Sequence, residues 1–207
     1  EDLKFASCPV TFLELSLRND SDERWEAFFA LENRTTWMPM SGRGPYKGAV
    51  TRNQMGFACQ EGFVDEFTHF DIPKGLEMRP NGANFLLPPI SGLVFDVEPG
   101  ETQTIRVALA YYLAGEVTFN HAASYWYTKY FKSIDEVFKY AFSNQERYLA
   151  EAAARDAELE TSGLSEEKQF LIAHATRSYY GSSQWLDDGE PLWVVNEGEY
   201  LMINTLD

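Results

Sequence analysis

The chain has 207 residues, 44% hydrophobic and 24% charged, an ordinary balance for a globular protein of one large or two small domains. At this length about 70% of the unfolded surface can be buried, so neither disulfides nor metals are needed as staples. A formal charge of −15, with lysines and arginines scattered, argues against binding a nucleic-acid backbone and reads most simply as solubility.

The first half of the chain reads as β. Val10 to Leu17 is rich in strand formers, Asn19-Asp20-Ser21-Asp22 is a turn signal, and Trp25 to Leu31 is the next strand, so the two are expected to form a hairpin. Residues 33 to 54 contain Pro39, Gly42, Gly44, Pro45 and Gly48 with little periodicity, which predicts a long loop. Met55 to Cys59, Phe63 to Phe70 and Gly92 to Val97 read as further strands. After the turn Glu98-Pro99-Gly100-Glu101, the residues Ile105, Val107 and Leu109 alternate with Thr104, Arg106 and Ala108, the clearest strand in the chain. Short strands separated by turns suggest a β-sandwich.

The texture changes near Gly115. Ser124 to Phe131 is strongly aromatic, and Ser133-Ile134-Asp135-Glu136 is a capping box opening a long helix. Ile134, Val137, Phe138, Ala141, Phe142, Tyr148, Leu149 and Ala152 fall on one stripe of it, Glu151 and Arg155 suit an i,i+4 pair, and Gly163 closes it. Ser165 caps a second helix whose Phe170, Leu171, Ala173, His174, Ala175, Ser178, Tyr179 and Gly181 leave it apolar or small nearly all round. Such a helix is expected to be buried on most sides.

Cys8 and Cys59 are the only cysteines, too few for a disulfide framework or a zinc site, and are expected as free, buried thiols. His69, His121 and His174 show no ligand spacing, so neither a metal nor another cofactor is expected. No run approaches 18 apolar residues, so no membrane-spanning helix is expected. The absence of an initiator methionine and the uncapped apolar run Leu201 to Leu206 suggest that both ends are cut. No nucleophile elbow, phosphate loop or dinucleotide fingerprint is present, which leaves carboxylates to carry any chemistry.

Glu197 is the best single carboxylate. The short apolar strand Leu192 to Val195 delivers it onto a bend beside Gly198, where substrate can approach the backbone. Glu199 is two residues on, and in extended backbone it points the other way. From spacing alone, Asn196-Glu197-Gly198-Glu199 reads as a solvated turn before it reads as a site. His174 reads as a satisfied core histidine and Arg177 as half of a structural ion pair. Trp185 and Trp193 suit either core packing or a sugar face, and Trp37 and Tyr46 are rim candidates in the long loop.

A longer pattern resolves the choice. Phe170-Leu171-Ile172-Ala173-His174-Ala175-Thr176-Arg177-Ser178-Tyr179-Tyr180-Gly181-Ser182-Ser183-Gln184, then Leu192-Trp193-Val194-Val195-Asn196-Glu197-Gly198-Glu199-Tyr200, Met202 and Asn204-Thr205, resemble glycoside hydrolase family 52, the retaining β-xylosidases. Upstream, Tyr111-Tyr112, Ala123-Ser124-Tyr125, Tyr130-Phe131 and Ile134-Asp135-Glu136-Val137 also fit, and the likeness is looser from Glu1 to Glu101. The resemblance implies an α+β chain: part of an N-terminal β-sandwich over 1–121, linker helices over 122–163, and the start of an (α/α)6 catalytic barrel over 164–207. It implies Glu197 as the catalytic nucleophile, with Asn196, Tyr200, Asn204, Thr205 and Asp207 binding substrate, Asp207 by analogy with the related glucosidase family 116. It also implies that the general acid/base, an aspartate, lies downstream of Asp207, so the 207 residues alone should be inactive. The implied partner is a xylo-oligosaccharide, with no nucleic acid or membrane; a homodimer is compatible with the sequence, and the expected compartment is the cytoplasm. A family 116 type β-glucosidase and a non-catalytic carbohydrate-binding β-sandwich are the alternatives.

Overall fold

The structure, a computed structural model, describes residues 2–40, 44–52, 54–77, 82–83, 88–118 and 122–195. It is a mixed α/β chain whose strands pair almost entirely antiparallel. Chain contacts divide it into two compact units: Cys8–Leu113 with Phe131–Phe142, and Glu1–Ser7 with Ala114–Tyr130 and Ser143–Asp207.

Among the described residues, a single helical turn, α1 (Leu3–Ala6), precedes the strands of the two-sheet unit. These are β1 (Val10–Arg18), β2 (Trp25–Glu32), β3 (Trp37–Pro39), β4 (Lys47–Thr51), β5 (Met55–Cys59), β6 (Asp65–His69), β7 (Gly82–Ala83), β8 (Ile90–Val97) and β9 (Thr102–Tyr111). The short helix α2 (Ile72–Glu77) lies between β6 and β7. One sheet has the order β1-β9-β5-β4-β3 and the other β2-β8-β6-β7, with β6 and β7 the parallel pair.

The expected β1–β2 hairpin is therefore not formed. β1 pairs with β9, Leu13 opposite Val107, while β2 pairs with β8 in the other sheet, Phe29 opposite Leu93. The turn between β1 and β2 is a crossing from one sheet to the other, and Asn19 holds it. Its buried amide donates to the carbonyls of Glu23 (2.7 Å) and Val97 (2.8 Å), and its Oδ1 accepts from the Ser21 amide and hydroxyl. Its backbone also exchanges hydrogen bonds with the β8–β9 turn, at Gly100 and Glu101. A local turn signal cannot say which strand the chain pairs with next, because that is decided by which apolar faces meet.

Those faces meet in one core. Trp37, Ala49, Phe57, Cys59, Ile105 and Val107 enter it from the first sheet, and Leu93, Phe95 and Val97 from the second, with Val64 beside them. Phe57 lies edge-on to Trp37 (5.2 Å) and Phe29 (5.8 Å), the offset that aromatic quadrupoles favour. The long loop expected over 33–54 contains β3 and β4 instead. Gly48 has φ +143°, and a Cβ there would fall 2.1 Å from the Phe57 carbonyl, so its glycine lets β4 close on β5. The other face of the first sheet is lined by Gly56, Ala58, Ala108 and Ala110. Their small side chains leave a flat surface for α3 (Ile134–Ser143), which brings Phe142 against Phe12 and Tyr46. Tyr46 is thus stacked on a helix residue rather than standing on a rim.

The capping box holds at its first half. Ser133 Oγ accepts from the Glu136 amide (3.3 Å), while Glu136 reaches to the amide of Lys132 (2.8 Å). The long helix expected after it is two helices. The buried stripe stops at Phe142, and Asn144, out of helical geometry at φ −119°, starts α4 (Gln145–Glu160). The break falls where the buried stripe ends, and α4 beyond it has no buried residue. On α4 the partner of Glu151 is Arg147 (3.1 Å), not Arg155 as expected. Arg147 also pairs with Asp2 (2.7 Å) and lies 3.7 Å over the Phe5 ring, while Tyr148 stacks on Phe5, clamping α1 to α4.

Candidate active site

Two short elements precede the second unit's long helices: β10 (Glu116–Thr118) and β11 (Ala122–Tyr125), which leads into a 3₁₀ turn, Trp126–Lys129. Ser165 stands at the N-cap of α5 (Glu166–Gly181), its carbonyl accepting from the amides of Lys168 and Gln169 while its hydroxyl makes no capping bond. The Glu167 carboxyl is held below its ordinary range by a hydrogen bond from its own backbone amide, and then by the Ser165 hydroxyl.

Among the described residues α5 packs against little: it has no buried residue, and Phe170 and Leu171 are more than 60% exposed. His174 lies exposed against Phe170, ring centroids 4.2 Å apart, and Arg177 is exposed without an ion-pair partner among the described residues. Trp37, expected on a rim, is in the core at 1% exposure. A β-alternating segment was hidden there by its prolines and glycines. His69 is tied locally, accepting at Nδ1 from the Asp71 amide (3.1 Å).

After α5 the chain turns back as a hairpin of β12 (Ser183–Asp187) and β13 (Pro191–Val195), the two added strands of the sheet β10-β11-β12-β13. Leu186 pairs with Leu192 and Trp185 with Trp193. Asp188-Gly189 is the turn signal, with Gly189 at φ +109° and its amide bound to Asp187 Oδ1 (3.2 Å). That dipeptide, flanked by Trp185-Leu186 and Leu192-Trp193, is the signal by which the hairpin could have been found.

The two faces of this hairpin differ. Leu186 and Val194 are buried with Ala123, Tyr125 and Leu192 in a small core. The opposite face carries the tryptophan pair. Trp126 stacks flat on Trp185 (5.2 Å, interplanar 0°), Trp185 meets Trp193 at 6.2 Å, and Trp193 donates from Nε1 to the Tyr179 hydroxyl (3.0 Å). Lys129 closes the buried end, with Nζ 4.0 Å over the Trp126 ring and 3.0 Å from Asp187. The Lys129 ammonium accordingly holds the Asp187 carboxyl below its usual range. Burial raises the Tyr125 phenol above its usual range.

β13 ends at Val195, the residue before Asn196. The predicted site residues Asn196, Glu197, Tyr200, Asn204, Thr205 and Asp207, together with Glu199 and His121, lie outside the described residues. Among the described residues, no three histidine, cysteine or carboxylate side chains gather to hold a metal ion, and no helix is long and apolar enough to cross a membrane. Cys8 and Cys59 are buried thiols outside any disulfide, as expected.

The family model for glycosyl hydrolase family 52 matches the chain over residues 1–207. The chain belongs to glycosyl hydrolase family 52. Two family relatives from Geobacillus stearothermophilus, both named beta-xylosidase, are similar across 100% of the chain. They are 34% identical over 218 residues and 33% identical over 219 residues, covering 30% and 34% of their own lengths. The chain thus spans about a third of the family 52 relatives it matches. The resemblance carried by the α5 and Asn196-Glu197-Gly198-Glu199-Tyr200 motifs is borne out.

Proposed function

We propose that the chain is part of a retaining β-xylosidase that releases xylose from the non-reducing end of short β-xylo-oligosaccharides, with Glu197 as its nucleophile. The observation that carries this reading is the family 52 match across all 207 residues, supported by the two relatives named as β-xylosidases. It disfavours a family 116 type glucosidase and a non-catalytic sugar-binding module.

The two-sheet unit with its shared core supports reading 1–121 as part of a sandwich, followed by linker helices over 122–163 and the start of an (α/α)6 barrel over 164–207. Exposed apolar residues around α5 suit a barrel helix awaiting neighbours.

In the proposed mechanism the ionised Glu197 carboxylate attacks the anomeric carbon. The bond from that carbon to the leaving oxygen breaks as an aspartate supplied by the rest of the protein protonates the oxygen. Water, deprotonated by that same aspartate, then attacks the anomeric carbon, expels Glu197 and yields xylose with retained configuration. Retention asks for the two carboxyl groups to stand about 5–5.5 Å apart. Asn196, Tyr200, Asn204, Thr205 and Asp207 supply polar contacts for the sugar hydroxyls. Treating the full-length protein with a 2-fluoroxylosyl inactivator, then mapping peptides, should place the label on Glu197; a label on Glu199 refutes the assignment.

A further inference from the structure

Trp193 stands at the exposed end of a fixed ladder of rings. Trp126, at its inner end, is buried between Lys129 and Trp185; Trp185 rests on it, and Trp193 meets Trp185 edge to face. At the outer end Trp193 is 47% exposed and Tyr179 46%. The indole cannot swing freely, because its N–H is bound to the Tyr179 hydroxyl and its strand is paired residue for residue with β12. The hairpin does not need this face for its own core, since Leu186, Val194 and Leu192 supply that on the other side.

A rigid, half-exposed indole beside phenol groups offers an apolar ring face with hydrogen-bonding edges. That is the surface a pyranose presents in complement: axial C–H bonds for the ring and hydroxyls at the rim. Rings already held in place bind with little loss of side-chain freedom. The ladder also lies close to the chemistry along the chain. Glu197 is four positions on from Trp193, a reach of at most about 14 Å in extended backbone. The polar residues proposed for the reacting sugar all follow or adjoin Glu197, whereas the aromatic face precedes it.

We propose that Trp193, backed by Trp185 and Tyr179, is the stacking platform for the leaving-group sugar of a β-linked xylo-oligosaccharide. The proposal rests on the β-xylosidase reading above and deepens it. Trp193 is then a positioning residue: it spends remote binding energy on aligning the glycosidic oxygen, so its loss lowers kcat/KM only where a leaving-group sugar exists.

The test compares full-length wild type, Trp193→Ala, Trp193→Phe and Tyr179→Phe on xylobiose and on β-xylosyl fluoride, whose leaving group carries no ring. Expected for Trp193→Ala is a loss of kcat/KM on xylobiose about tenfold larger than the loss on the fluoride, the scale of one aromatic stacking contact. Trp193→Phe should restore most of it, and Tyr179→Phe should show the same selectivity at smaller size. Equal losses on both substrates, or none on xylobiose, overturn the platform and leave the residue as packing against another segment of the protein. A wild type inert on both xylosides instead sinks the β-xylosidase reading. Calorimetry with xylobiose and cellobiose then decides the platform separately: affinity lost in Trp193→Ala upholds stacking on a sugar, and unchanged binding overturns it.

Discussion

Phe57 is the residue whose removal should tell most about the two-sheet unit. It is fully buried on β5, between Trp37 of its own sheet and Phe29 of the other. Replacing it with alanine removes a ring burying about 150–250 Å², worth roughly 4–6 kcal/mol at 25 cal/mol/Å² before the retained Cβ is discounted. The cavity left behind offsets that discount, and Phe→Ala changes in cores cost about 3–5 kcal/mol. We therefore expect Phe57→Ala to cost about 4 kcal/mol. Phe28, adjacent to Phe29 on β2 and 46% exposed, is the control, and its alanine variant should cost under about 1 kcal/mol. Hydrogen–deuterium exchange on the β5 and β9 amides of the full-length protein reads the local opening energy directly. A loss of about 4 kcal/mol speeds the slowest amides by roughly a thousandfold. If Phe28→Ala matched Phe57→Ala, or Phe57→Ala changed exchange less than about tenfold, the shared core of the two sheets would be the wrong description.

Asn19→Ala should cost about 2–4 kcal/mol, since it strands the buried carbonyl of Val97 and unties the crossing between sheets, as denaturant midpoints would register. Cys59 should resist dithionitrobenzoate at pH 8 in a Cys8→Ser background, because burial, and then its hydrogen bond to Glu61, push the thiol up to about 12. With the folded value raised from 9.0, its contribution is complete below pH 9 and declines as pH rises towards 12, so Cys59→Ala should flatten the alkaline stability loss. For Asp187 the sign is opposite: its depressed carboxyl adds stability above the ordinary aspartate range that is lost as pH falls through its folded value. Carbon-detected titration should show the Asp187 midpoint rising in Lys129→Ala; an unmoved midpoint would remove Lys129 as the cause.

The residues that announced the fold were those whose neighbours in sequence are their partners in structure. Ile105 and Val107 alternate along β9 as their pattern says, and Ser133 starts a helix where its capping bond to the Glu136 amide puts it. What the sequence hid was long-range. Nothing near residue 20 says that β1 joins β9 and β2 joins β8, and the prolines and glycines around β3 and β4 masked strands that tertiary pairing enforces. The candidate site was legible for a different reason. Glu197 stood out by a motif of residue types rather than by periodicity, whereas Trp126, Trp185 and Trp193 gained meaning only once the hairpin brought them together.

The pairing of β1 with β9 also sets an order of events. Ser16 and Thr104 are bonded across 88 positions, so β1 can pair with β9 only once the chain through Thr102–Tyr111 has been made. Until Thr102–Tyr111 leaves the ribosome, β1 and β5 lack the strand that joins them, and closing so long a loop is slow. A nascent chain halted before residue 102 should thus aggregate or recruit chaperones, while one halted after residue 142, with α3 also made, can close the two-sheet unit.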